Sequence, residues 1–191
     1  MELITGRSLA SVMAERRLSL PEVSAVIGQA AGAIDAVHAA GLVHRDIKPA
    51  NIILEPSGRA VLLDLGVARD LESSGITATG LLVGTPGFLA PEQVDSSIFV
   101  GPRTDVYQLG ATAYTLLAGK PPYEGDTARV LYSVAHMPPP DLGADRPDLP
   151  YHVVAAVARA LAKDPAQRPG SASAFAAELA GARIVEAPAP P

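Results

Sequence analysis

The chain contains no cysteine, which excludes disulfides, thiolate metal sites and thiol nucleophiles. Only three lysines occur, Lys48, Lys120 and Lys163. With a formal net charge of -5 they assemble no basic face suited to nucleic acid. No apolar run reaches the roughly 18 residues that a membrane-crossing helix needs. The N-terminus has no basic stretch leading into a signal core either, so the expected location is the cytoplasm. Aromatic side chains make up 4% of the chain, and no internal repeat is visible. No Gly-x-Gly-x-x-Gly occurs, so this sequence carries no glycine-rich loop to cradle phosphates.

What is present suffices for one domain with its own core: 191 residues, 48% of them hydrophobic. The 18 prolines fall mostly in loops and in a closing tail over 182–191, which reads as the start of a flexible linker. Ser8 to Arg17 reads as a short helix. Ser19-Leu20-Pro21-Glu22 has the form of a capping box, and Val23, Val26, Ile27, Ala30, Ile34 and Val37 follow at helical spacing until Gly41 supplies the stop. Thr104 to Leu117 is apolar almost all round and is expected to be a buried central helix. The regions 126–136, 149–161 and 171–179 read as further helices, and 71–86, rich in Gly, Ser and Thr, reads as a mobile loop. Arg16-Arg17 is expected on a solvated helix face, and no role is assigned to His38, His136 or His152.

The chemistry concentrates in His44-Arg45-Asp46-Ile47-Lys48-Pro49-Ala50-Asn51 and in Asp64-Leu65-Gly66. An Asp and an Asn five residues apart can aim one carboxylate at an acceptor hydroxyl and one amide oxygen at a metal. Lys48 between them can neutralise negative charge, and Asp64 adds a second hard oxygen of the kind magnesium prefers. Between Asn51 and Asp64, Ile52-Ile53-Leu54 and Ala60-Val61-Leu62-Leu63 flank Glu55-Pro56-Ser57-Gly58-Arg59, a hairpin pattern that would return Asp64 to the side of Asn51.

These motifs resemble the catalytic loop and metal-binding turn of the bacterial eukaryotic-like (Hanks-type) serine/threonine protein kinases. The resemblance continues in order along the chain. Residues 1–9 look like the hinge between the two kinase lobes and the start of the following helix. Gly84-Thr85-Pro86-Gly87-Phe88-Leu89-Ala90-Pro91-Glu92 looks like the substrate-docking segment, and Asp105-Val106-Tyr107-Gln108-Leu109-Gly110 looks like the start of the central helix. Arg168-Pro169 looks like the late arginine that pairs with Glu92. Lys48 and Thr85 match the serine/threonine subclass, and Leu65 stands where the turn usually has Phe.

The resemblance implies a mainly α fold, the kinase C-terminal lobe with small β elements at the active edge. It divides the chain into a partial kinase domain over 1–181, with the hinge at 1–6 and the lobe at 7–181, and the tail. ATP and magnesium are the implied cofactors, and a protein Ser or Thr hydroxyl is the implied acceptor. Asp46 would orient that hydroxyl and Lys48 would stabilise the transferring group, while Asn51 and Asp64 would hold magnesium. Main-chain groups of Glu2 and Ile4 would meet the adenine edge above Ile53. Thr85 would hydrogen-bond Asp46, Gly87 would line the docking segment, and Thr77 and Thr79 would be phosphorylation sites read by Arg45. His44 would be a packed structural histidine. Asp105 would cap its helix and brace the backbone at His44 and Arg45. The resemblance begins at the hinge, and the lysine and glutamate that grip ATP in the other lobe have no counterpart here. The isolated chain is therefore expected to be inactive. The alternative expectation is a non-catalytic kinase-like binding module, or truncated pseudokinase, that engages a partner such as a complete kinase.

Overall fold

The fold was analysed in a computed structural model, which describes residues 4–63, 85–95 and 99–182. In chain order these form β1 (Arg7–Ser8), α1 (Leu9–Glu15), α2 (Leu20–Ala39), β2 (Ile52–Leu54), β3 (Ala60–Leu62), α3 (Pro91–Val94) and α4 (Pro102–Ala118). They continue through α5 (Thr127–His136), α6 (Leu142–Asp145), α7 (Tyr151–Ala160) and α8 (Ala172–Leu179). Single 3₁₀ turns occupy Pro49–Asn51, Pro86–Phe88 and Pro165–Gln167. Helix dominates, as the sequence pattern predicts. No helix among the described residues is long and apolar enough to cross a membrane.

Helix α4 is the axis of the fold. Every residue from Thr104 to Leu117 is buried, so it presents no solvent face and the other helices pack around it. One contact is close enough to require glycine: a Cβ on Gly110 would lie 2.6 Å from the Cβ of Ala160 in α7. Around α4, α2 contributes Val23, Val26, Ile27, Ala30 and Ile34, while α8 contributes Ala172, Phe175 and Leu179 to the same core. Asp35 of α2 ties this pair together. Its carboxylate accepts the backbone N–H groups of Ala172 and Ser173, each at 3.1 Å, which satisfies two of the free donors at the start of α8.

The capping box at α2 forms through Glu22, whose carboxylate accepts the backbone N–H of Ser19 at 2.8 Å and its hydroxyl at 2.7 Å. Gly41, with φ 77°, ends that helix in the left-handed conformation glycine tolerates. Expectation and structure part at the N-terminal side. Ser8 is not helical; it closes β1 and caps α1, its Oγ accepting the N–H of Ser11 at 3.2 Å. Strand β1 pairs antiparallel with β2, which itself pairs with β3, so the hairpin becomes a three-stranded sheet in the order β1-β2-β3. Gly6 permits that approach, since a Cβ there would sit 2.7 Å from the carbonyl oxygen of Leu54. Arg16 and Arg17 are exposed but lie beyond α1, and Arg16 pairs with Glu22 at 2.7 Å.

Candidate active site

The loop carrying Asp46 connects the end of α2 to β2, and its position is set mainly from α4. Asp105, fully buried, accepts the backbone N–H of His44 and of Arg45, both at 2.8 Å. It does not cap its own helix. Gly101 takes that position, its N–H bonded to the Thr104 hydroxyl at 3.2 Å, and Asp105 lies one turn further in with its oxygens turned to the loop. His38 of α2 supplies a third bond to Asp105 at 2.7 Å. That contact was not foreseen, because the two residues are 67 positions apart and His38 carries no spacing motif.

Asp46 is flanked by backbone in an uncommon state. Arg45 has φ 66°, and it is the one described non-glycine residue with positive φ. His44, 1% exposed, is packed beneath the loop: its Nδ1 accepts the Asp46 N–H at 3.4 Å, leaving Nε2 to donate to the carbonyl of Leu63 at 3.1 Å. The Asp46 carboxylate meets the Lys48 ammonium at 3.1 and 3.2 Å and accepts from Asn51 Nδ2 at 2.9 Å. Asn51 Nδ2 also donates to the Asp46 carbonyl at 2.8 Å, so the amide nitrogen is engaged and Oδ1 is the oxygen left for a ligand. Asp46, Lys48 and Asn51 therefore form one cluster, with the Asp46 and Lys48 side chains 22% and 16% exposed.

The hairpin brings its second strand back as the spacing predicts. Glu55 and Arg59 close the turn with a 2.9 Å backbone bond, and Gly58 adopts φ 84° there. Leu63 donates its N–H to the Asn51 carbonyl at 2.8 Å, so the residue preceding Asp64 lies beside Asn51. A clamp unseen in the sequence is Gln29 of α2. Its amide donates to the Gly58 carbonyl at 3.0 Å and accepts the Ala60 N–H at 2.9 Å, bonding the hairpin end as another strand would. Asp64, Thr77, Thr79 and Glu2 lie outside the described residues. Ile4 and Ile53 are both half-buried, in the segment that leads into β1 and in β2 respectively.

Of the docking segment, Gly87 is buried within a 3₁₀ turn, and Thr85 is exposed at its start. The Asp46 carboxylate meets Lys48 and Asn51, and Thr85 stands exposed. Glu92, in the first turn of α3, is locked to Arg168 by two bonds of 2.7 and 2.9 Å. The remaining guanidinium donors reach the carbonyls of Ala162, Arg103 and Lys163 at 2.8, 2.9 and 3.0 Å, so all five N–H groups are matched. The Thr104 hydroxyl adds a 2.7 Å bond to Glu92, and the guanidinium lies 4.9 Å from the centre of the Tyr107 ring.

Comparison with known proteins agrees with this arrangement. Residues 1–179 match the protein kinase domain family. Serine/threonine-protein kinase PknA of Mycobacterium tuberculosis is 39% identical over 197 residues, covering 100% of this chain and 44% of that protein. PknL of the same species is 39% identical over 181 residues, 94% of this chain and 45% of that protein. A serine/threonine-protein kinase of Corynebacterium efficiens, drp72, is 37% identical and is covered over 36% of its length. The chain thus spans less than half the length of these curated relatives. With the helical lobe built around α4 and the family match along nearly its whole length, this chain belongs to the protein kinase family, of the bacterial serine/threonine type.

Proposed function

We propose that this chain is the acceptor-orienting lobe of a cytoplasmic serine/threonine protein kinase that transfers the γ-phosphate of ATP to protein Ser or Thr hydroxyls. The observation that carries this reading is the cluster of Asp46, Lys48 and Asn51 on a loop whose backbone is fixed by Asp105. Such an arrangement is what phosphoryl transfer asks of a protein, positioning and charge stabilisation rather than covalent chemistry. Asp46 would accept the hydroxyl proton of the acceptor. Lys48, within reach of Asp46, would offset the charge on the moving phosphoryl group.

The donor set also fits the implied cofactors. Asn51 has its amide nitrogen engaged by Asp46, which leaves a hard carbonyl oxygen, and Asp64 would add a carboxylate. Magnesium-ATP, when bound there, supplies the phosphoryl group and neutralises its charge. Ile4 and Ile53, with the main chain of Glu2, would form the adenine surface. Residues 84–92, with Thr85 and Gly87, would receive the substrate peptide. Thr77 and Thr79 would be the phosphorylation sites read by Arg45.

The test joins the N-terminal lobe of a bacterial serine/threonine kinase in frame before Met1. The fusion should phosphorylate a Ser/Thr peptide, and Asp46→Asn should lower turnover by about 10²–10⁴-fold while leaving ATP affinity unchanged. Full turnover with Asp46→Asn would overturn the assignment.

A further inference from the structure

The backbone on either side of Asp46 belongs to no helix or strand, so its polar groups need partners from elsewhere. Asp105 takes the first two, the N–H groups of His44 and Arg45. Gln108, nearly one turn further along α4, takes the next two. Its Nε2 donates to the Arg45 carbonyl at 3.0 Å, and its Oε1 accepts the Ile47 N–H at 2.9 Å. One planar amide therefore brackets Asp46 on both sides. Gln93 of α3 adds a second bond to the Arg45 carbonyl at 3.2 Å. Its Oε1 accepts from Gln108 Nε2 at 2.8 Å and from the Ala90 N–H at 2.9 Å.

The orientation of both amides is dictated by this network. Ile47 and Ala90 offer only N–H groups and Arg45 offers only its carbonyl, so each glutamine oxygen and nitrogen has one workable placement. Gln108 is 1% exposed, and a buried amide in such a network is costly to leave half satisfied. What the bonds hold is specific. They fix Arg45 at φ 66°, a conformation disfavoured for a side chain with a Cβ, and so set the direction in which the next residue points.

We propose that Gln108 and Gln93 are positioning residues that couple the seating of the segment around Ala90 to the aim of the Asp46 carboxylate. This rests on the reading of Asp46 given above. If α3 moves, the Arg45 carbonyl loses one donor and Gln108 loses its acceptor, and the left-handed turn at Arg45 is free to relax. The docking segment and the acceptor-orienting carboxylate then act as one unit.

Amide hydrogen exchange read by NMR on this chain tests the coupling without requiring activity. Gln108→Ala should speed exchange at Ile47 by about tenfold, the scale of one lost hydrogen bond, with Ile27 and Ile34 of α2 unchanged. Gln93→Ala should also speed Ile47, although no hydrogen bond joins the two residues, and it serves as the probe if Gln108→Ala does not fold. Unchanged exchange at Ile47, or equal acceleration at Ile27 and Ile34, would overturn the proposal. In the fusion, both alanine variants should lower kcat for peptide while KM for ATP stays constant; a raised ATP KM with kcat intact would count against the coupling. An inactive wild-type fusion speaks against the kinase reading, and the exchange result still decides the role of the two glutamines.

Discussion

Glu92 and Asp46 are both carboxylates paired with a basic side chain, yet the Glu92 side chain is 1% exposed and that of Asp46 22%. Around Glu92 every group is matched: Arg168 uses all five of its N–H donors, and Thr104 fills a further site on the carboxylate. Around Asp46 the contacts to Lys48 are longer, at 3.1 and 3.2 Å, and Asn51 keeps an oxygen uncommitted. The first pair is closed to solvent and to ligands, and it ties α3 to the turn before α8. The second keeps partial contact with solvent, as the proposed role of Asp46 requires. The same two kinds of charged group are thus sealed in one place and accessible in the other, and burial makes the difference.

The largest expected effect comes from breaking the closed pair. Arg168→Ala leaves Glu92 desolvated without its partner and should cost about 3–5 kcal/mol in a denaturant titration, against roughly 0.5 kcal/mol or less for the exposed Arg17→Ala. Equal small shifts for the two would erase the contrast. The more open pair should respond less: Lys48→Met is expected to cost clearly less than Arg168→Ala, because the Asp46 side chain keeps solvent contact and still accepts from Asn51. A loss as large as that of Arg168→Ala would show that Asp46 and Lys48 are structural instead.

The smallest effect sharpens the comparison with a fully solvated pair. The Arg16 guanidinium, with the Ser19 N–H and hydroxyl, holds the Glu22 carboxyl down at about 2. A carboxyl lowered on folding contributes stability that is present above its unfolded value and is lost as pH falls through the folded one. Acid titration of the fold should therefore show a decline between about pH 4.5 and 2, shared with Asp148, that Glu22→Gln makes shallower. An unchanged acid profile in Glu22→Gln would mean that the box at α2 contributes nothing to stability.

Much of this fold was legible because its signals are local. The capping residues Ser19 and Glu22, the apolar spacing of α2, the largely apolar pattern of α4 and the turn at Gly58 each act within a few residues. Boundaries were less legible where long-range pairing overrides local preference: Ser8 joined a strand because β2 lies beside it. The short helices α3 and α6 are too brief to show a period at all. In the site, the cluster of Asp46, Lys48 and Asn51 was visible because the three residues are close in sequence. His38, Gln29, Gln93 and Gln108 were not, since their partners lie 67, 29, 48 and 63 residues away. A glutamine in a helix pattern reads as a solvated position.

By itself the sequence determined the longer helices, the hairpin of β2 and β3 and which chemical groups are available, because helix periodicity, caps, turns and the spacing of Asp46, Lys48 and Asn51 are local properties of the chain. Only the tertiary structure decided which charges are closed and which are open, that Asp105 faces the loop rather than its own helix end, and that two glutamines bracket Asp46. Those outcomes depend on burial and on backbone groups brought together from distant segments, and neither is set until α4 is enclosed.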